Sequence, residues 1–193
     1  PLIRPDRVYL LGHSMGGMLA PRIDAEGGAF AGLIFWAGTP RTLDALILEQ
    51  NEASLAAMPP EQRAAAAPLV QALREQFAAL PRMAEEDAQH THILGNLWAW
   101  YFKEILTHPP EEYLRRLTKP VLVLQGDRDA HLSVERDFRR YEALLAAHPD
   151  AAFHLYPGLN HLLMPSPTGA IAEVLHEYQQ PQAVDSQVIA DIA

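Results

Sequence analysis

Short apolar runs separated by helix-like stretches occur near both ends of the chain. Residues 7–11 and 30–36 are apolar and rich in β-forming side chains, and residues 121–125 and 152–156 repeat this pattern. Continuous apolar runs that alternate with helices are typical of strands in a parallel sheet whose two faces are both covered. The pattern therefore predicts an α/β fold, with a parallel sheet of about four strands and helices on both faces.

Helices are predicted between and after these strands. One follows the first strand to about Ala25, where Gly27 and Gly28 end it. Two more are predicted over residues 133–147 and 168–179. The tail from Pro181 has weak helical character, and we expect it to fray.

The middle of the chain has a different pattern. Residues 41–118 contain no convincing strand, and Ala, Leu, Glu, Gln and Arg dominate them. Pro68 is expected to break one of the predicted helices, because an interior proline costs about 3 kcal/mol. We therefore divide the chain into an α/β core, residues 1–40 and 119–193, and a helical insertion, residues 41–118. The helices predicted in the insertion span residues 42–57, 60–79, 95–106 and 110–117.

The first predicted strand leads directly into Gly12-His13-Ser14-Met15-Gly16, which fits the pattern G-x-S-x-G. A serine on a tight turn between a strand and a helix is crowded, and glycines two residues on either side relieve the crowding. The turn also puts the Met15 backbone N–H at a helix N-terminus, where it can stabilise an oxyanion. We therefore predict Ser14 as a nucleophile and Met15 as an oxyanion donor. The alternative is a glycine-rich turn without chemistry.

A serine hydroxyl becomes a good nucleophile when a histidine takes its proton and a carboxylate orients that histidine. Asp129 follows the strand at 121–125, and His161 lies in the loop after the strand at 152–156. Because parallel strands end at the same edge of a sheet, we expect both residues to lie near Ser14. Asp127 is the competing acid. We favour Asp129, because the loop needs a few residues to turn back toward the histidine.

Other histidines offer alternatives. His131 is the second candidate for the base, and His13 is expected to pack or to support the serine turn. His90 and His92 would lie on different faces of a helix, which argues against a metal pair. With no cysteine and no H-E-x-x-H motif, the sequence predicts neither a metal site nor a cofactor.

Composition and charge exclude several classes of partner. Hydrophobic residues make up 49% of the chain and charged residues 20%, as in ordinary globular proteins. The net charge of −9 leaves no basic patch to neutralise phosphates, which argues against nucleic acid. No stretch approaches the roughly 18 apolar residues that a membrane span needs.

Three segments together resemble a known family. They are GHSMGGMLAP at residues 12–21, LQGDRD at residues 124–129 and GLNH at residues 158–161. They resemble bacterial α/β-hydrolases of the carboxylesterase branch, near the dienelactone hydrolases and prolyl-oligopeptidase-like enzymes. The resemblance implies a triad of Ser14, Asp129 and His161, which stand in the chain order of that fold. It also implies hydrolysis of a small-molecule carboxylic ester through an acyl-enzyme, without a cofactor.

The helical insertion resembles the cap that such enzymes carry over their site. It contains aromatic residues that could line an acyl pocket, or that could simply pack the cap onto the body. These are Trp98, Trp100, Tyr101 and Phe102. The triad does not separate an esterase from a thioesterase, acyltransferase or peptidase, because all of them form an acyl-enzyme. A non-catalytic binding module is the alternative from another class.

The chain departs from the family pattern at its beginning. The family fold has eight strands and its serine follows the fifth, whereas here the serine is residue 14. The resemblance therefore covers strands five to eight, the C-terminal half of the fold. Without a neighbouring strand, residues 8–11 would expose apolar side chains and unpaired backbone groups. We therefore expect a complementing N-terminal half or a homo-oligomer as partner, and weak or absent esterase activity of the chain alone.

Overall fold

The computed structural model describes residues 3–193, which divide into two compact units. The first unit contains the residues up to Arg41 together with Pro110–Ala193, and the second is Thr42–Pro109. The sequence predicts an insertion that ends at residue 118. In the structure the chain returns to the first unit at Pro110, because Leu114 is buried in that unit's core.

The first unit is built on a four-stranded parallel sheet, as predicted. Labels follow chain order, and its strands are β1 (Tyr9–His13), β2 (Gly32–Trp36), β5 (Val121–Gly126) and β6 (Ala151–Tyr156). They lie in the order β1-β2-β5-β6, and every neighbouring pair is parallel. All four carboxyl ends therefore lie at one edge of the sheet, which we call the carboxyl edge.

Helices cover both faces of this sheet. Their bounds are α1 Met15–Ala25, α6 Pro110–Leu114, α7 Arg139–Leu144, α8 Val174–Tyr178 and α9 Ser186–Ile192, with a π-helical turn at Val134–Phe138 directly before α7. The helix predicted over 168–179 is shorter than expected. Gly169 adopts a left-handed φ of +66° and its N–H donates to the Ser166 hydroxyl, so the chain makes a turn there instead.

Side chains that alternate along the strands point to opposite faces of the sheet, and each face packs into its own hydrophobic core. Leu33 and Phe35 of β2 pack on one face, in a cluster that includes residues of α1, α6 and α7. Ile34 packs on the other face, in a cluster that includes Val188 of α9. Val188 is completely buried, so the expectation that the C-terminal tail frays is wrong. The tail is ordered because α9 supplies apolar cover for that face of the sheet.

β1 lies at the edge of the sheet and pairs with β2 on one side. Tyr9 and Leu11 of this strand are exposed, and Val8 just before it is exposed as well. The apolar edge expected from the sequence is therefore present in the described part of the chain. The partner expected to cover it stays a prediction.

The second unit is mainly helical. It contains α2 (Leu43–Ala57), α3 (Pro60–Ala79), α4 (Glu85–His90), a short antiparallel hairpin of β3 (His92–Ile93) and β4 (Leu97–Trp98), and α5 (Ala99–Leu106). The hairpin was not expected. Leu94 and Gly95 adopt left-handed φ angles of 52° and +83° and reverse the chain, so α5 begins at Ala99 rather than near residue 95.

Pro68 does not break α3, and the expectation that it would is wrong. The helix continues from Pro60 to Ala79 with Pro68 inside it. Its C-terminal half is held by Leu73 and Phe77, which are buried in the core of the second unit. That packing offsets the local cost of the missing N–H and of the ring. Among the residues that the structure describes, no helix combines the length and apolar character needed to cross a bilayer.

Candidate active site

Ser14 forms a one-residue turn between β1 and α1. Its φ of 55° and ψ of −117° are values that residues with a side chain rarely adopt. The Ser14 N–H donates to the Trp36 carbonyl of β2 at 2.9 Å, and the Gly17 N–H donates to the Ser14 carbonyl at 3.0 Å. The neighbouring strand and the first turn of α1 therefore hold Ser14 in a strained conformation.

The glycines around Ser14 do not all serve the same purpose. A Cβ on Gly12 would lie 2.3 Å from the carbonyl oxygen of Gly16, and a Cβ on Gly17 would lie 2.9 Å from the Cα of Gly38. A Cβ on Gly16 would meet no heavy atom within 4 Å. The close packing of the turn therefore requires Gly12 and Gly17, and the crowding argument made from the sequence does not apply to Gly16.

The loops after β5 and β6 bring Asp129 and His161 together. Nδ1 of His161 lies 2.7 Å from Oδ2 of Asp129. The other carboxylate oxygen, Oδ1, accepts the backbone N–H groups of His131 at 2.8 Å and Leu132 at 3.0 Å. The Asp129 side chain is completely buried, and His161 is nearly so. Because a carboxylate only accepts, Nδ1 carries the proton and Nε2 of His161 is the nitrogen that can take one up.

Asp127, the competing acid, has a different partner. Its Oδ1 accepts the Gly158 N–H at 2.6 Å, which ties the loop after β5 to the loop after β6. The structure therefore brings Asp129 to His161 and gives Asp127 a turn-supporting contact.

His13 links the serine turn to the loop that carries His161. The His13 Nε2–H donates to the backbone carbonyl of His161 at 3.1 Å, and the two ring centroids are 4.9 Å apart. This contact supports the serine turn, as expected for His13. Ser14 and His161 are thus on adjacent segments at the carboxyl edge. Within the described residues the structure records no hydrogen bond from the Ser14 hydroxyl to His161, a bond that often tightens only when substrate binds.

His131 lies beside His161 as well, with ring centroids 4.8 Å apart. Burial lowers the pKa of both His13 and His131 below the ordinary value of 6.5, and the charge that His161 can carry lowers each further. Burial also raises the pKa of Tyr178, whose ring lies 6.1 Å from that of His131, to about 12, and the charge of Asp129 adds to this shift. The rings of His13 and His131, whose pKa values are both lowered, therefore lie against His161, and Tyr178 lies against His131.

Sequence reasoning missed a buried polar network behind His161. Asn160, Ser166 and Glu177 are all buried and are joined by hydrogen bonds. Asn160 lies inside the GLNH segment, so its position was visible in the sequence. Glu177 lies on α8, and no sequence pattern connects it to the loop.

A second missed network fixes the segment after β2. The fully buried Asp137 accepts the Thr39 hydroxyl at 2.5 Å and the Ser133 N–H at 2.8 Å. Arg41 binds the same carboxylate through Nε at 2.7 Å and Nη2 at 2.8 Å. A buried carboxylate with this many donors is well compensated. The network holds the chain that follows the carboxyl end of β2.

The four aromatic residues suggested for an acyl pocket do not share one environment. Phe102 is buried in the core of the second unit and makes an edge-to-face contact with Phe77 at 5.4 Å. Tyr101 packs against the same core. Trp98 and Trp100 are 48% and 42% exposed. Phe102 and Tyr101 therefore pack within the second unit, and an acyl-pocket role for any of the four residues stays a prediction.

Comparisons with known proteins match this architecture. The family model described as "Alpha/beta hydrolase family" matches residues 2–174 of the chain. The chain belongs to the alpha/beta hydrolase family. This alpha/beta hydrolase is 29% identical to esterase EstD of Thermotoga maritima over 189 residues, which cover 97% of this chain and 42% of EstD. It therefore spans less than half the length of that relative.

Two solved structures also match the chain over part of their length. The esterase Pf2001 of Pyrococcus furiosus matches this alpha/beta hydrolase with a TM-score of 0.46 and 14% identity, over 90% of this chain and 49% of that one. Est1E from Butyrivibrio proteoclasticus matches with a TM-score of 0.45 and 18% identity, over 89% of this chain and 58% of that one. In residues 3–193, no cluster of three or more His, Asp or Glu side chains could hold a metal ion.

Proposed function

We propose that this chain is a serine hydrolase that cleaves carboxylic esters, with Ser14 as nucleophile, His161 as general base and Asp129 as the acid that orients the base. The observation that carries the proposal is the buried hydrogen bond between Asp129 Oδ2 and His161 Nδ1, at 2.7 Å. It holds the imidazole in the tautomer whose Nε2 can accept a proton. The likeness to EstD, which is named an esterase, supports an ester as the substrate.

In the first half of the reaction, Ser14 Oγ attacks the ester carbonyl carbon while His161 Nε2 takes the hydroxyl proton. The carbonyl π electrons move onto oxygen and give a tetrahedral oxyanion. When this intermediate collapses, the C–O bond to the alcohol breaks and the leaving alkoxide takes the proton from His161. The serine is then acylated, and the histidine is neutral again.

The oxyanion would form at the N-terminus of α1. Met15 is the first residue of this helix, and its backbone N–H is the proposed donor to the oxyanion. The helix dipole places partial positive charge at this end, which stabilises negative charge as it develops. The strained backbone of Ser14 supports this assignment, because it puts the nucleophile immediately before the helix.

In the second half, water attacks the acyl carbon and gives its proton to His161 Nε2. The intermediate collapses, the bond to Ser14 Oγ breaks and Oγ recovers the proton from His161. A carboxylic acid leaves. Asp129 stays ionised throughout and stabilises the imidazolium in both halves of the cycle.

Trp98 and Trp100 are the most exposed of the four candidates for binding the acyl group. Their large exposed indole surfaces could cover an apolar acyl chain. The test is a series of p-nitrophenyl esters of increasing acyl length. We expect Trp98→Ala and Trp100→Ala to lower kcat/KM for long acyl chains more than for acetate. An equal effect on all chain lengths would contradict a role in acyl binding.

The proposed function is tested by covalent labelling with a fluorophosphonate probe, together with hydrolysis of p-nitrophenyl acetate. We expect the wild-type protein to be labelled once and Ser14→Ala to be unlabelled. Ser186→Ala is the matched control, because Ser186 is an exposed serine at the start of α9, and it should label like the wild type. Hydrolysis of the ester by the chain alone is expected to be weak, so the labelling decides. A folded wild-type protein that is not labelled would refute the proposal.

A further inference from the structure

We infer that Glu177 is a positioning residue for His161, because its buried carboxylate holds both ends of the short loop that carries the proposed base. The inference rests on the proposed function for its rate measurement only. The structural effect on His161 can be measured whether or not the protein is an esterase.

The two carboxylate oxygens of Glu177 contact residues on opposite sides of His161. Oε2 accepts the Asn160 Nδ2–H at 3.4 Å, directly before His161, and Oε1 accepts the Ser166 hydroxyl at 2.7 Å, five positions after it. The three side chains are nearly inaccessible, with exposed fractions of 4% for Asn160, 4% for Ser166 and 6% for Glu177. One carboxylate thus fixes residues 160–166 at both ends.

Asn160 passes this constraint to the backbone around His161. Its Oδ1 accepts the N–H of Leu162 at 3.0 Å and the N–H of Met164 at 3.2 Å. Leu163, between those two donors, has a left-handed φ of 54°. The amide oxygen therefore holds a tight turn immediately after His161, and the amide nitrogen connects that turn to Glu177.

Helix α8, which carries Glu177, is anchored by an apolar side chain. Val174 of the same helix is buried. Tyr178, the residue after Glu177, lies beside His131. Glu177 of α8 therefore contacts the loop of His161, and the next residue, Tyr178, contacts His131, which follows Asp129 by two residues.

The chemistry of Glu177 agrees with a positioning role. Among the described residues, no ion pair is recorded for this carboxylate, and its two oxygens instead accept hydrogen bonds from neutral groups of the loop. Burying a carboxylate is costly unless hydrogen bonds compensate it, so its position is determined by those two donors. In turn, the donors are held by the carboxylate.

A base that moves by about 1 Å can lose about 100-fold in rate, since proton transfer needs close approach to the nucleophile. We therefore expect Glu177→Ala to lower kcat about 10- to 100-fold with little change in KM, because the substitution changes no residue proposed to contact substrate. The kcat is expressed per fluorophosphonate-labelled site, so that loss of folded protein does not count as loss of rate. Glu173→Gln is the matched control, because it removes an exposed carboxylate four residues earlier and should behave like the wild type.

Glu177→Gln should recover most of the kcat. Its amide oxygen can accept from Asn160, and its amide nitrogen can donate to the Ser166 hydroxyl, so the loop stays fixed at both ends. A requirement for the carboxylate charge itself would instead make Glu177→Gln as slow as Glu177→Ala, and would overturn the positioning role.

Ser166→Ala tests the same contact with a milder change, in case Glu177→Ala does not fold. Used alone it should lower kcat per labelled site, and the double variant Ser166→Ala/Glu177→Ala should be little slower than Glu177→Ala. Multiplicative losses in the double variant would mean that the two residues act independently, contrary to the inference.

A spectroscopic measurement separates this inference from the proposed function. The proton shared by His161 Nδ1 and Asp129 should give a downfield proton NMR signal in the wild type, which disappears in Asp129→Ala. We expect Glu177→Ala to shift or broaden this signal and Glu177→Gln and Glu173→Gln to preserve it. An unchanged signal and an unchanged kcat in Glu177→Ala would overturn the inference. Absence of labelling in a wild type whose signal is present and responds to Glu177→Ala would refute only the proposed function.

Discussion

Gly12 packs backbone against backbone with Gly16: a Cβ on Gly12 would lie 2.3 Å from the Gly16 carbonyl oxygen. The C-terminal end of β1 and the first turn of α1 are therefore in contact on either side of Ser14. No side chain can move aside to make room, because the opposing atom belongs to the main chain of a helix. The close approach is what permits a one-residue connection between the strand and the helix.

Gly12→Ala should therefore destabilise the protein, whereas Gly16→Ala should not. Gly12→Ala should lower the free energy of unfolding by about 3 kcal/mol, because the new methyl group forces backbone atoms apart. Gly16→Ala should leave it unchanged or raise it by up to about 1 kcal/mol, since the site is open and alanine favours the helix. Urea unfolding of the two variants measures both. Equal destabilisation by the two substitutions would contradict this account of the turn.

Asp129→Asn should lower kcat about 10⁴-fold, the loss expected when the base is held in the wrong tautomer. The backbone N–H groups of His131 and Leu132 would retain the amide oxygen, so the amide nitrogen would face His161 Nδ1 and donate to it. The proton would then reside on Nε2, which could not take one from Ser14. The reaction is followed with p-nitrophenyl acetate.

Asp127→Asn is the control for that substitution. Its amide oxygen can still accept the Gly158 N–H, so the loop contact survives and kcat should stay near that of the wild type. If Asp127→Asn were the slower variant, the assignment of the acid to Asp129 would fail.

The histidines on either side of His161 make stability depend on pH. Burial lowers the pKa of His13 and His131 in the folded chain, so the unfolded chain, with pKa values near 6.5, binds these protons first as the pH falls. The contribution of these two histidines to stability is therefore fully present above pH 6.5. It is lost as the pH falls from there through their lowered pKa values in the folded chain. We expect the free energy of unfolding to fall between about pH 7.5 and about pH 5.5, where histidines are the side chains that titrate.

His13→Gln provides the comparison for the pH series. Glutamine keeps a side-chain N–H that can donate to the His161 carbonyl, but it does not titrate. The slope of unfolding free energy against pH should be smaller in His13→Gln than in the wild type, with urea unfolding at each pH as the measurement. Superimposable slopes would show that His13 does not contribute.

The sheet and the carboxyl edge could be predicted because they depend on local signals. The apolar runs at β2 and β5, the two central strands, are buried on both faces, and such strands need continuous apolar sequence. The outer strands β1 and β6 carry similar apolar runs, although they are partly exposed. The choice of Asp129 over Asp127 could be argued from loop length, since two residues decide whether a side chain turns back toward the next loop. Both predictions need only a few adjacent residues and the rule that parallel strands end at the same edge of a sheet.

The network behind His161 could not be predicted in the same way. Glu177 meets Asn160 and Ser166 only after α8 packs against the loop, and a glutamate on a short helix is usually solvated. The burial of Val188 could not be predicted either. The sequence of α9 is only weakly helical by itself, and the helix is stabilised by the sheet that it covers. In both cases tertiary packing decides the outcome, and one sequence does not display it.

Pro68 illustrates the same limit and supports a last prediction. It lies exposed inside α3, where its ring and its missing N–H weaken the helix, while buried side chains keep the helix intact. Pro68→Ala should therefore slow amide hydrogen exchange in peptides of α3, with a local gain of up to about 3 kcal/mol. Pro60→Ala is the matched control, because Pro60 occupies the first position of the same helix, where a proline N–H would have no intrahelical partner. Equal protection in the two variants would mean that Pro68 imposes no strain on α3.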